Sequence, residues 1–350
     1  MNKQTIITAL LALVWMTGQA KGHFRIEGQI GKPDYTGKVH IIDLLTNDTV
    51  STTQVENGMI KPIEGKLTEI RMCKIEAADK SFQRHTLFID KGVTHIEGCN
   101  EDGELRQSGT LVTDDLNSFD LAIKQNEEEL RNGRRSAEEA DSISDKLISD
   151  IIIRHKDDVL GIKILTGMAE VSLPPVLWLD LLEQTNPKFY AYPRLANYLS
   201  ETKAKMEICA RTWVGKPFID FSVEYKGKTV RLSDYVGRGQ YVLADFWASW
   251  CGPCKQQIPE LTALHQQYKD KELILLGIAV RDKEENTEKA IDDLGIPYPQ
   301  IINAQDIPAS LYGVDAIPHT ILFAPDGIII ARNIYGNELK AKLDEIFNDK

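Results

Sequence analysis

Metal ligands are scarce in this chain. Its 350 residues include only five cysteines and seven histidines. Cys-x-x-Cys spacing occurs once, at Cys251 and Cys254, and His23, His40, His85 and His95 stand singly in strand-like surroundings. A closed zinc site needs about four convergent ligands, so the scarcity argues against one. Positive charge is also short. The chain has 41 Lys and Arg against 52 Asp and Glu, a formal charge of −11, whereas nucleic-acid binding needs basic surface. Phosphate-binding glycine loops are missing: the "GRG" at 237–239 precedes a strand-like run instead of following one. Apolar runs are short everywhere. None approaches the ~20 residues that span a bilayer.

The N-terminus carries the most distinctive of these runs. "MNKQTIITALLALVWMTGQAKG" opens with Lys3, is apolar from Ile6 to Met16, and ends on Gly18 and Ala20. Charge, apolar run and small-x-small order mark residues 1–20 as a secretory signal peptide, with cleavage expected after Ala20. No cysteine lies nearby to carry a lipid. The chain is therefore expected to be soluble and exported, or membrane-anchored if the segment is retained. Export permits disulfides. An odd count leaves at least one thiol over, and Cys73 with Cys99 reads equally as a structural disulfide or as two buried thiols.

Three segments follow. Residues 23–112 hold short runs rich in Ile, Val and Thr, such as "HFRIEGQI", "KVHIIDL" and "VTHIEG", separated by turns such as "GKPDYTG" and "ENG". They predict an antiparallel β domain, a sandwich or small barrel. Residues 115–207 carry apolar residues at three- and four-residue spacing and predict a helical segment, with Pro174 and Pro175 opening one helix. Residues 211–350 alternate strand-like and helix-like runs and predict an α/β domain with helices on both faces of a mixed sheet. A hairpin is expected just before it, turning at Lys226-Gly227.

"ADFWASWCGPCKQQIPE", residues 244–260, carries the chemistry. A buried-strand pattern leads to Cys251, and a helix pattern starts just behind it. Free N–H groups and the helix dipole at such a position favour a thiolate, the species that attacks disulfides. Cys254 lies about one helical turn on, so it can resolve a mixed disulfide. Gly252 and Pro253 fit the tight first turn. A purely structural role is a poor alternative, because so small a ring constrains little of the unfolded chain. The Pro-x-x-x-Thr-x-x-Cys pattern of peroxide-reducing cysteines is absent.

"ADFWASWCGPCK", Pro259 and "DAIPHTILFAPDG" resemble a thioredoxin-fold domain, and the hairpin and the 279–314 insertion resemble its exported branch, the TlpA and ResA-like thiol-disulfide oxidoreductases. The resemblance covers about 140 residues; the preceding segments resemble, more weakly, N-terminal regions attached to such domains in Bacteroidetes. It implies Cys251 as an exposed nucleophile, Cys254 as the resolving thiol and Asp245 as a buried acid that assists proton transfer. An acid on a buried strand is expected to have a raised pKa. It also implies a helix kink at Pro259, a cis bond at Ile317-Pro318, and a substrate-binding surface of Trp250, Gly252, Pro253, Ile317 and Pro318. Three positions depart from the pattern: His319 in place of Thr, Gln257 in place of the Glu common in that branch, and Asp245 where that branch often has Asn.

The expected function is a periplasmic dithiol reductase acting on disulfides of exported proteins, without a cofactor or metal. Its electrons would come from a membrane donor such as a thiol transporter. An oxidase or isomerase is one alternative. A partner-binding module that merely presents a thioredoxin domain is another, and the intact set of Cys251, Cys254, Asp245 and Pro318 argues against it.

Overall fold

The computed structural model describes residues 22–81, 85–100, 103–268 and 271–348. The signal-peptide reading of residues 1–20 lies outside them. The described residues fall into two units: up to Leu173 together with Leu177–Glu201, and Pro174–Val176 together with Thr202 onward. Most of the helical segment thus groups with the β segment, and its residues from Thr202 on group with the C-terminal domain.

The first unit begins with eight strands: β1 (Gly22–Gln29), β2 (Gly37–Asp43), β3 (Thr49–Glu56), β4 (Met59–Leu67), β5 (Arg71–Ala77), β6 (His85–Ile89), β7 (Gly92–Cys99) and β8 (Leu105–Ser108). Alternate residues such as Val39 and Ile41, or Cys73 and Ile75, point into one apolar core. The expected architecture is an antiparallel sandwich or small barrel. The strands form one sheet, ordered β6-β5-β2-β3-β4-β1-β7-β8, not two layers, and its pairs are antiparallel except β1 with β7, which run parallel. The reason is that β6 and β7 are not paired to each other, although they are consecutive in sequence. The last strand, β8, is brought beside β6 by one side chain. Gln107 Oε1 accepts from the Phe88 N–H at 2.8 Å, and its Nε2 donates to the Thr86 carbonyl at 2.8 Å. The amide stands in for a peptide group along the seam. Gly28 lets β1 bulge against β4 while its backbone lies close to β7: its φ is +121°, and a Cβ there would sit 2.1 Å from the Ile96 carbonyl oxygen.

Cys73 and Cys99 are separate thiols. They lie on β5 and β7, which are not neighbours, and the Cys99 sulfur packs 3.7 Å from both ring nitrogens of His85 on β6. Cys73 sits in the core, where burial pushes its thiol up to about 12.

Helices follow: α1 (Leu111–Arg131), α2 (Ala137–Arg154), α3 (Val159–Leu165), α4 (Met168–Ser172), α5 (Pro175–Gln184) and α6 (Pro193–Arg211). Ser136 and Glu139 form a capping box at the start of α2. At its end, His155 lies between Asp158, 2.8 Å from Nδ1, and Asp115, 3.0 Å from Nε2. Trp178 is fully buried, and its indole donates to the Leu165 carbonyl at 2.9 Å.

The second unit opens with a hairpin, β9 (Ser222–Tyr225) and β10 (Lys228–Arg231), turning at Lys226 and Gly227, both with positive φ. A five-stranded sheet follows: β11 (Tyr241–Trp247), β12 (Leu273–Ala279), β13 (Gln300–Ile301), β14 (His319–Phe323) and β15 (Ile329–Arg332). Its order is β13-β12-β11-β14-β15, with β11, β12 and β13 parallel and β14 and β15 antiparallel. The unit's helices are α7 (Gly252–Tyr268), α8 (Glu284–Leu294), α9 (Ile307–Tyr312) and α10 (Gly336–Asn348). Separate apolar cores form on the two faces, one around Phe246, Tyr312 and Phe323, the other around Leu243, Trp247, Leu261, Tyr268 and Leu343. This is a thioredoxin-like α/β domain, and β11 is its central strand.

Candidate active site

Strand β11 is buried from Val242 to its end because both its neighbours and both helical layers cover it. Its alternation assigns the side chains. Val242, Ala244 and Phe246 enter one core, and Leu243 and Trp247 enter the other. Asp245, between Ala244 and Phe246, therefore faces the same layer as Leu243 and Trp247, the layer that also holds Cys251, Cys254 and α7. The strand ends at Trp247, a short loop carries Trp250, and α7 starts at Gly252. Cys251 thus immediately precedes the helix, as the sequence pattern predicts. Cys251 and Cys254 are joined in a disulfide. The Cys254 backbone N–H donates toward the Cys251 sulfur at 3.1 Å.

Cys251 is only 4% exposed, so the expected exposed nucleophile is corrected for this oxidised form. Its sulfur packs 3.7 Å from the Ile317 carbonyl oxygen, on the loop that the sequence motif alone does not place there. Beside the disulfide, Gly252, Pro253 and Trp250 are exposed, the last 59% exposed. Ile317 and Pro318 are partly buried, and the bond between them is cis. Pro259 lies inside α7.

Asp245 is buried, and its Oδ1 has no hydrogen-bond partner. Burial alone raises its pKa to about 7, because the carboxylate has lost water and gained no cation. A carboxyl in that range exchanges protons at neutral pH. The amide of Gln257, one turn beyond Cys254 on α7, is likewise buried without partners at either end, and so is His265 Nδ1.

His319 follows the cis proline. Its Nε2 lies 3.4 Å from Arg332 Nη2. Burial first, and the Arg332 charge second, lower its pKa to about 3, so the ring is neutral at physiological pH. Arg332 is buried too. Its Nη1 donates to the Thr212 carbonyl at 2.6 Å, and its Nη2 donates to the Tyr312 carbonyl at 2.6 Å. The Tyr335 hydroxyl lies 2.7 Å from the Pro318 carbonyl oxygen.

Sequence reasoning missed Arg332, Tyr335, and the pair Arg281 and Asp282 that follows β12. The available signal for the pair was position, since sites in α/β folds gather at the carboxyl ends of parallel strands. Cys73 and Cys99 belong to the first unit. Among the described residues, no group of three or more His, Cys, Asp or Glu side chains is placed to hold a metal ion, and no helix is long and apolar enough to cross a membrane.

A central buried strand, a disulfide at a helix start and a facing cis-proline loop define a thioredoxin-fold redox protein. Comparison with known proteins agrees. The model of the AhpC/TSA family matches residues 214–332. Thiol-disulfide oxidoreductase ResA of Geobacillus thermodenitrificans (strain NG80-2) is 30% identical over 159 residues, 44% of this chain and 86% of that protein. Thiol-disulfide oxidoreductase ResA of Bacillus thuringiensis (strain Al Hakam) is 28% identical over 143 residues, 41% of this chain and 78% of its own length. The thioredoxin domain of a thiol-disulfide oxidoreductase from Bacteroides vulgatus is 28% identical, with 39% of this chain and 99% of that chain covered and a TM-score of 0.35. The chain belongs to the ResA-related thiol-disulfide oxidoreductases. It is an enzyme of that class.

Proposed function

We propose that this enzyme is a periplasmic dithiol reductase acting on disulfides of exported proteins through Cys251 and Cys254. In the reduced form, Cys251 attacks one sulfur of the substrate as a thiolate. A mixed disulfide forms, and the first substrate sulfur leaves as a thiolate that takes a proton from solvent. Cys254 then loses its proton to the Asp245 carboxylate and attacks the Cys251 sulfur. The second substrate sulfur leaves as a thiolate and is protonated in turn, Asp245 gives its proton back to solvent, and the enzyme retains the Cys251–Cys254 disulfide. Two electrons pass to the substrate. A membrane thiol transporter would restore them, and no cofactor is needed. Trp250, Gly252, Pro253, Ile317 and Pro318 would form the surface that receives the substrate.

One observation carries the direction of electron flow. The group aimed at the Cys251 sulfur is a backbone N–H, that of Cys254 at 3.1 Å, and the histidine beside the cis proline is neutral. The thiolate then depends on backbone dipoles, without a histidine cation to stabilise the reduced form strongly. This supports a potential near the thioredoxin end of the scale, about −270 mV, and not the oxidant end near about −120 mV. Equilibration against a series of glutathione buffers tests it. A potential above about −180 mV, the region of disulfide isomerases, would overturn the reductase assignment.

A further inference from the structure

Arg281 is the residue through which the loops around the disulfide are tied together. It follows β12 and has a φ of +54°, a left-handed conformation that a non-glycine residue adopts at a cost. Its guanidinium fans out to three acceptors. Nε donates to Asp306 Oδ1 at 2.6 Å, Nη1 to the Asp315 carbonyl at 3.0 Å, and Nη2 to the Val314 carbonyl at 3.1 Å. Its own carbonyl accepts from the Trp250 indole N–H at 2.9 Å. Asp282 completes the tie: its Oδ2 accepts from the Ser249 N–H at 2.6 Å and lies 3.1 Å from the Thr287 hydroxyl. One dipeptide therefore holds the loop before Cys251 by Ser249 and Trp250, and the loop before the cis proline by Val314 and Asp315.

We propose that Arg281 is a positioning residue that sets the distance between Trp250 and the 314–318 loop, the two walls of the groove over Cys251 that a polypeptide disulfide enters. The inference rests on the reductase reading given above. Val314 and Asp315 end two residues before Ile317, whose carbonyl touches the Cys251 sulfur. Val314 and Ile317 pack into the core at the two ends of that wall, but Asp315 and Ala316 between them are exposed, so core packing leaves its middle to the guanidinium. A planar guanidinium can hold two successive carbonyls at once, which a lysine ammonium, a point charge, does poorly. The consequence is selective. A small aromatic disulfide needs only the Cys251 sulfur, whereas a polypeptide needs both walls at the right spacing.

The test uses the full-length, pre-reduced protein with two probes, insulin and 5,5′-dithiobis(2-nitrobenzoate). For Arg281→Met, the ratio of the insulin rate to the small-disulfide rate is expected to fall about tenfold, through a raised KM for insulin, with the small-disulfide rate within about twofold of wild type. Arg281→Lys is expected to recover part of the ratio. If Arg281→Met does not fold, the lysine variant alone is read, and its ratio is expected to fall about threefold. An unchanged ratio in a folded variant overturns the proposal, and so does an equal loss on both probes, the mark of a merely structural role. A wild-type protein inert toward both probes would instead sink the underlying reductase reading, and the Arg281 proposal with it.

Discussion

The two units treat buried polar groups differently. In the first, they are paired. Asn126 donates to the Ala140 carbonyl at 2.7 Å and the Ser144 hydroxyl at 2.9 Å, and accepts from Arg135 at 2.6 Å. Asp43 accepts from the Leu45 and Thr46 N–H groups and pairs with Arg71. Gln107 and His155 are held at both ends. In the second unit five buried side-chain atoms have no partner, and among the described residues these are the only ones: one on Asp245, two on Gln257, one on His265 and one on Arg332. Leaving such a group unmade costs about 1–3 kcal/mol. Asp245 and Gln257 belong to the strand and helix that flank the disulfide, and Arg332 backs His319. In the first unit buried polarity fixes structure. In the second, part of it stays available for a proton.

The sharpest way to break this contrast is Asp245→Asn. The ordinary carboxyl value is 3.8 and the folded value about 7, so the native state holds a proton that the unfolded chain releases between them. That contribution is fully present below pH 3.8 and is lost as pH rises through about 7. Above it, the native state carries a buried charge costing at most on the order of 4 kcal/mol. The asparagine variant is therefore expected to be more stable than wild type at pH 8, with the gain vanishing at pH 4, in denaturant titrations of the oxidised proteins. It is also expected to reduce insulin about tenfold more slowly. Equal stabilities at pH 8 would show that the carboxyl is solvated, and unchanged kinetics from pH 6 to 9 would show that it is structural.

Gln107→Leu tests the other side. It strands the Phe88 N–H and the Thr86 carbonyl at the seam between β8 and β6, so a loss of about 3 kcal/mol is expected. Amide exchange at Phe88 would report it locally. A leucine variant with wild-type protection there would mean that the seam does not depend on its polar bridge.

What could be read in the sequence was what is local. The strand into Cys251, the helix after it, the Lys226-Gly227 turn and the helix opened by Pro174 and Pro175 each announce themselves within a few residues. The parallel pairing of β1 with β7, and the place of β8 beside β6, depend on partners tens of residues away, so turn signals suggested hairpins instead. The burial of Cys251 was invisible for the same reason: Ile317, which covers it, lies 66 residues on. Arg281 and Arg332 bind mostly main-chain carbonyls, and a carbonyl leaves no trace in residue type. The Ser136–Glu139 box is local too, but it lies inside "RNGRRSAEEAD", where the surrounding charged side chains mask it.

The smallest expected effect gives the finest comparison, because it uses one residue type in both units. Burial opposes the charge on His155, but hydrogen bonds and charges from Asp158 and then Asp115 outweigh it, and its pKa is raised. His319 has no carboxylate bonded to it; burial and Arg332 bring it down to about 3. The signs for stability are opposite. The His155 contribution is fully present below about pH 6.5 and is lost as pH rises through its folded value. The His319 contribution is present above about pH 6.5 and is lost as pH falls toward 3, because the unfolded chain takes up a proton that the native ring refuses. Ring-proton NMR of the folded protein separates them. His155 is expected to titrate above the ordinary histidine value, and His319 is expected to show no transition between pH 5 and 8. His155→Gln should flatten the fall in stability above neutrality and leave the His319 signal unmoved. A His319 transition near pH 6.5 would place a titrating cation beside the cis proline, and the contrast between paired and unpaired polarity would then fail at the residue where it bears most on the redox site.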